Sequence, residues 1–139
     1  MSTEKNKALI RRLAQALNTR NWAMLDELLA PNFVNHNASP GEKPGREGHK
    51  EAAISIINAF PDIKFTIEDM IAEGDKVVVR LTFSGTHRSQ FMGIPPTNKR
   101  ATVQEIAIVR IVNGKIAEEW TNSDSLGMLQ QLGLIPPMK

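Results

Sequence analysis

Four side chains stand where they could move protons. Asp124 lies in WTNSD, between a Trp-bearing stretch and a short apolar-periodic run. His87 ends GTH, His36 sits in NHN, and Glu105 interrupts the largely apolar stretch ATVQEIAIVRIV. A carboxyl or imidazole group in an apolar cavity loses solvation of its charged form. An Asp that ordinarily titrates at about 4 then moves toward neutrality and becomes a better base for an activated carbon acid. Asp124 has a second reading, because Asp is a preferred helix N-cap and Ser125-Leu126 opens an apolar-periodic run directly after it. A capping carboxylate is held as an anion by backbone N–H groups and the helix dipole, which weakens it as a base. Ser123 or Ser125 could cap instead, so both roles stay open. His49, beside Lys50 and Glu51 in the first turn of a helix, is expected to face solvent. Three scattered histidines lack a metal-ligand spacing such as HExxH, so no metal is assigned.

Positioning these groups falls to two kinds of element. Leu9, Leu13, Ala16 and Leu17 follow helical spacing, and Trp22, Leu25, Leu28 and Leu29 do so again after the NTRN break, stopping before Pro31. After FVNH, the run NASPGEKPG reads as a loop, and GHKEAAISIINAF resumes a helical pattern that Pro61 ends. From Ile63 the period becomes two. Ile63, Phe65, Ile67 and Ile71 alternate with Lys64, Thr66 and Glu68, and Val77, Val79, Leu81 and Phe83 with Lys76, Arg80 and Thr82 beyond the turn at Glu73-Gly74-Asp75. RATVQEIAIVRIV and IAEEWTN flank Asn113-Gly114, a strong hairpin signal. Leu126, Leu129 and Leu132, ending at Gly133 and then Pro136-Pro137, predict a closing helix. Helices followed by at least four antiparallel strands imply an α+β fold, with helices packed on one face of a curved sheet and a cavity between them.

Strand parity then assigns faces. The odd series Val77, Val79, Leu81, Phe83 and Gly85 arrives at His87, which should point inward. In IAEEWTNSD the even positions carry Ile116 and Trp120, placing Asn122 and Asp124 on the same inner side if the strand stays regular. In ATVQEIAIVRIV the odd face would bury Glu105 and the even face Gln104 and Arg110. A buried Glu105 calls for a partner such as Arg80 or Arg110; an exposed one does not. Trp120 reads as a core aromatic or a cavity wall, and Phe91 and Met92 as lid residues or loop packing.

At 139 residues and 41% hydrophobic, the chain fits one domain over 1–139. Seventeen basic against fifteen acidic residues leave a net charge of +2, too slight a balance to suggest nucleic acid as a partner. Charges interrupt MSTEKNKALIRR, and no stretch approaches the roughly 18 apolar residues of a membrane span, so a soluble cytoplasmic protein without membrane partners is expected. There is no cysteine, which excludes disulfides, thiolate zinc sites and cysteine nucleophiles.

GTHRSQFMGIPPTNKR from Gly85 and IVRIVNGKIAEEWTNSDSLGMLQQLG from Ile108, with FVNHN at Phe33 and PGREGHK at Pro44, closely resemble the SnoaL-like polyketide cyclase family, also called ester cyclases, of the nuclear transport factor two-like superfamily. The resemblance covers nearly the whole chain. It implies a cone-shaped α+β fold, a homodimer packed through its sheet, a hydrophobic cavity, and no metal or organic cofactor. Characterised members close a polyketide ring by intramolecular aldol condensation. Asp124 matches the family's general acid/base, and His87 and His36 match its recurring histidines. Ser89 and Asn98 depart from the family's glycines in GTHxG and PPTG. Asn tolerates left-handed backbone, whereas Arg88-Ser89 could alter what the entrance admits.

The expected site is therefore Asp124, His87 and His36 for acid/base work, with Asn35, Phe83, Phe91, Met92, Glu105, Trp120 and Asn122 lining the pocket. The expected function is ring closure on a small apolar carbonyl compound. The alternatives are a homodimeric protein that only binds a small hydrophobic ligand, or a hydrolase or isomerase on the same fold. An Asp124 carboxylate bonded to the N–H of Gly127 or Met128 outside the cavity would deprive the enzyme reading of its base.

Overall fold

A computed structural model describes residues 2–136, so Pro137 lies outside the described residues. Helix α1 spans Thr3–Asn18, α2 Trp22–Leu28, α3 Gly45–Ala59 and α4 Ser125–Gln131. The strands are β1 Leu29–Asn35, β2 Lys64–Glu73, β3 Lys76–Thr86, β4 Arg100–Val112 and β5 Lys115–Ser123. Side-chain caps set the first two helices: Ser2 Oγ accepts from the Lys5 N–H and Asn21 Oδ1 from the Met24 N–H. Between them Arg20 takes a left-handed turn, φ 57°, and its guanidinium donates to the carbonyls of Leu17, Pro61 and Ile63, pinning the helix corner to the approach to β2. Helix α2 stops one residue short of its expected end, because Leu29 is already extended and opens β1.

The five strands form one sheet in the order β1-β5-β4-β3-β2. The two expected hairpins are present, and Asn113-Gly114 turns with φ values of 50° and 74°, the doubly left-handed geometry favoured in two-residue hairpins. One edge departs from an antiparallel reading: the FVN segment belongs to β1, which pairs parallel to β5. The other edge is closed by a side chain. Asn18 donates to the Phe65 carbonyl and accepts from its N–H, both at 2.8 Å, occupying the place of a neighbouring strand at the head of β2. Where β5 ends, Gln131 of α4 does the same for β4, bonding both the N–H and the carbonyl of Thr102.

Helices α1, α2 and α3 all pack on one face of this sheet, which buries two apolar clusters. The deeper one joins Leu9, Ile10, Leu25, Leu28 and Phe33 to Val77, Val79, Ala107 and Val109. The second gathers Ile57, Phe60, Ile63, Ala101, Val103 and Leu132, with Phe65, Phe83, Phe91 and Met128 half-buried around it. Strand β5 carries a bulge between them: Ile111 faces Ile116 and Arg110 faces Glu118, leaving Ala117 as the extra residue. Among the described residues, no helix is long and apolar enough to cross a membrane.

Candidate functional site

The inner face of β4 is its odd series, since Ala101, Val103, Ala107, Val109 and Ile111 are all buried. Glu105 belongs to that series, half-buried at the level between the two apolar clusters. Directly paired residues of an antiparallel sheet share a face, so the register carries this assignment across to β5. Glu119 faces Val109, Thr121 faces Ala107 and Ser123 faces Glu105. The inner series of β5 beyond the bulge is thus Glu119, Thr121 and Ser123, a polar stripe laid between apolar walls.

This overturns the expectation from parity for Trp120 and Asn122, and with them the inner placement of Asp124, and the structure also moves His36, which the family resemblance assigned to the site. Ile116 does point inward, fully buried, but the extra residue at Ala117 reverses every position after it. Trp120 pairs with Ile108 and Asn122 with Ile106, on the outer face. His36 lies there too. Its ring stacks on Trp120 with centroids 4.5 Å apart and planes 1° from parallel, and its Nε2 is 3.6 Å from Glu118, which also holds Arg110 at 3.1 Å. Glu105 therefore has neither Arg110 nor Arg80 as its partner, for both alternate to the outer face. Its partner is Ser123, whose hydroxyl donates to Oε1 at 2.7 Å. Burial pushes the Glu105 carboxyl above the usual carboxylate range, and the Ser123 bond only partly opposes that.

Asp124 is the N-cap of α4. Its Oδ1 accepts from the Gly127 N–H at 2.9 Å, while its own N–H donates to Gln104, so it is exposed where β5 hands over to the helix. The cap uses Oδ1; Oδ2 has no hydrogen bond among the described residues. This is the capping geometry that counts against a base buried in the cavity. His87 does point inward and is fully buried. Its ring stacks on Phe60 at 5.1 Å, and Nδ1 accepts from the Thr97 N–H at 3.2 Å, which leaves the ring proton on Nε2. His87 thus stands behind Phe60, tying the 87–99 loop to the sheet. Asn98 adopts φ 59°, the left-handed backbone its side chain tolerates. Phe83 and Phe91 join the half-buried apolar wall, Phe91 edge-on to Phe60, whereas Met92 is 59% exposed at a tight turn.

His49 is the largest surprise. It does not face solvent but enters the interior from α3, its ring 4.6 Å from that of buried Phe33. Nε2 lies 3.6 Å from Glu119 and Nδ1 4.0 Å from Glu42, side chains only 13% and 6% exposed. Asn35, a predicted lining residue, donates to Glu42 at 3.2 Å. Burial, reinforced by the charges of Glu105 and Glu42, pushes Glu119 up to about 8, and burial pushes His49 down to about 4. Glu42 is raised as well, again by burial. The pair thus holds its proton on the carboxyl at neutral pH and leaves the imidazole uncharged. No periodicity flags these residues: the odd series of β5 beyond Ala117 is wholly polar, and His49 sits among charges in its own helix. Among the described residues, no group of three or more His, Asp or Glu side chains is placed to hold a metal ion.

The chain can be set beside known proteins. The model of SnoaL-like polyketide cyclases matches residues 7–132. Aklanonic acid methyl ester cyclase DauD of Streptomyces sp. (strain C5) is 32% identical over 131 residues, spanning 90% of this chain and 80% of that protein. Nogalonic acid methyl ester cyclase of Streptomyces nogalater is 29% identical over 128 residues, spanning 87% and 92%. The structure of TsrD from Streptomyces laurentii superposes with a TM-score of 0.89 at 32% identity, covering 97% of this chain and 99% of that one. Sequence and backbone agree over nearly the same length, and on that ground the chain belongs to the SnoaL-like polyketide cyclase family.

Proposed function

We propose that this protein closes a ring on a small apolar carbonyl compound by intramolecular aldol-type chemistry, using carboxyl groups at the open end of its cone. The observation that carries the reading is Glu105, a carboxyl raised by burial, hydrogen-bonded to Ser123 and paired across the sheet with half-buried Leu81, with Asp124 directly after Ser123. Two carboxyls in unlike surroundings divide acid from base. Asp124, the site the family resemblance assigns, is a capped and exposed carboxylate rather than the buried base that resemblance implies, so only its Oδ2, which the cap leaves unbonded, is offered to take the proton from the carbon next to a carbonyl. The carbanion attacks the second carbonyl of the same molecule and forms the new C–C bond. Glu105 donates its proton to the alkoxide that results. The apolar walls hold the chain in a reactive fold, which supplies the proximity such closures need. The curated relatives are named as methyl ester cyclases, which favours this over simple ligand storage.

The test compares Asp124→Asn and Glu105→Gln with wild type on an aromatic β-keto methyl ester. Asn remains a good N-cap, so the first variant removes the base while keeping the helix end. Each is expected to lose about a hundredfold in kcat, in the range general acid/base groups contribute. Wild-type turnover in both would sink the reading, and a wild type that binds the ester without converting it would favour a binding protein. We further propose that a second copy of the chain covers the outer face of the sheet, where Val34, Ile71, Ile106 and Ile108 stand exposed around Trp120.

A further inference from the structure

Resting on the ring-closure reading, one feature of the interior remains without a role there. His49 has a carboxyl at each ring nitrogen, Glu119 at 3.6 Å from Nε2 and Glu42 at 4.0 Å from Nδ1; its Nδ1 is buried with no hydrogen-bond partner among the described residues, as is Nε2 of His87, and the flanking carboxyls are what set His49 apart. Structural histidines in interiors are normally satisfied at both nitrogens. An imidazole between two carboxyls can take a proton at one nitrogen and release one from the other without moving its ring far.

The two ends of this row open in different directions. Glu119 lies on the inner face of β5, in line with Thr121 and with Ser123, which binds Glu105. Glu42 and Asn35 line a cleft of about 540 Å³ between β1 and the segment from Ala38 to Gly45. That cleft is lined by β1 and the loop before α3, and neither Asp124 nor α4 lines it. We propose that Glu42, His49 and Glu119 form a proton path from this cleft to the interior, which restores the proton on Glu105 while substrate or product fills the mouth.

The chemistry requires such a return. In each closure a proton leaves carbon for Asp124, and another leaves Glu105 for the new hydroxyl. Asp124 is exposed and returns its proton to solvent. Glu105 has just lost one behind the bound molecule. Along the path, Glu119 gives its proton inward, over water or the Thr121 and Ser123 hydroxyls. His49 then passes one to Glu119 from Nε2 and takes one at Nδ1 from Glu42, which is reprotonated from the cleft, and the ring returns to its Nε2–H form by proton exchange with solvent before the next closure. No net proton is gained or lost. The ionisable groups facing His49 are Glu42 from the loop before α3 and Glu119 from β5, with Glu105 from β4 close enough to raise Glu119; β1 contributes only Asn35 and Phe33. Lys43 is engaged outward with Glu51.

His49→Ala and Glu119→Gln test the path with the same β-keto methyl ester. Both are expected to lower kcat about tenfold with KM within about twofold, and added imidazole should restore the His49→Ala rate in proportion to its concentration. A kcat loss that imidazole does not restore, or wild-type kcat in both variants, overturns the path while leaving ring closure standing. If wild type does not convert the ester, the ring-closure reading fails instead. The path is then read without substrate, from solvent exchange of the His49 ring N–H by nitrogen-15 NMR. Slower exchange in Glu42→Gln supports it, and an unchanged rate overturns it.

Discussion

The two faces of β5 contain nearly the same kinds of residue and do opposite things with them. Outside, His36 lies flat on Trp120, and Glu118 is bound by Arg110 in reach of water. Inside, His49 and Glu119 face each other, no Lys or Arg among the described residues is paired with the Glu119 carboxyl, and burial sets their protonation. The Arg110 guanidinium holds Glu118 below the usual carboxylate range, while desolvation drives its neighbour Glu119 to about 8. Adjacent glutamates thus end up in opposite protonation states at neutral pH. What separates them is a single extra residue, Ala117, which decides the face each one occupies.

The sharpest break of that comparison uses β1, where Phe33 and Val34 are likewise neighbours on opposite faces. Phe33 is 1% exposed and supports the His49 ring, whereas Val34 is 46% exposed. Phe33→Ala is expected to cost about 3–5 kcal/mol, the range for a buried aromatic cut to Ala. Val34→Ala should stay within about 0.5 kcal/mol for the monomer, whose outer face is uncovered. Urea unfolding of both variants measures the contrast, and equal losses would mean that the inner and outer assignments at this edge are wrong.

A second contrast lies in pH. Glu119 in the fold titrates well above the ordinary carboxyl value of 4.5, so the stability it lends is full below 4.5 and is lost as pH rises through about 8. His49 is shifted the other way. Its contribution is present above 6.5 and is lost as pH falls through about 4. Between pH 6.5 and 8, then, the His49 contribution is constant and the loss comes from the raised carboxyls, with Glu119 shifted to about 8 and Glu105 and Glu42 raised beside it. The melting temperature of wild type should fall across that window, and Glu119→Gln, which stays neutral, should fall less steeply. Parallel curves would show that Glu119 is ionised in the fold after all.

These contrasts mark where sequence reasoning reaches and where it stops. The α+β architecture, both hairpins and the closing helix follow from periodicity and turn chemistry that local sequence carries outright. Asn113-Gly114 is one such signal; Asn98 in left-handed backbone is another. Glu105 and Phe83 reach the inner face because β3 and the matching part of β4 pair without interruption. Trp120 and Asn122 do not, because parity counts residues and cannot see a bulge, which leaves no hydrophobic trace when the strand beyond it is polar on one side and mixed on the other. The parallel partnership of β1 is similarly invisible, since a short segment does not announce a strand some eighty residues away. His49 was hidden by its neighbours: Lys50 and Glu51 make its turn look solvated, although the ring itself leans onto Phe33.

The smallest effect on the fold, and the one that addresses the outer face alone, is expected at Ile108. Its neighbour Ala107 is buried in the core, while Ile108 is 38% exposed opposite Trp120, in a band with Ile106, Val78 and Ile71 that apolar side chains of this size rarely form on an isolated surface. If a second copy covers that band, a two-fold axis brings each residue near its own equivalent or that of a neighbour, so one added charge per chain becomes two buried in the same interface. Ile108→Glu should then convert a dimer to a monomer in sedimentation experiments. Its unfolding free energy as a monomer should change by no more than about 0.5 kcal/mol, because the inner face is untouched. A wild type that sediments as a monomer removes the outer partner, and an Ile108→Glu protein that stays dimeric moves the contact to another surface; in both cases the outer face would owe its Trp120–His36 stack to folding alone.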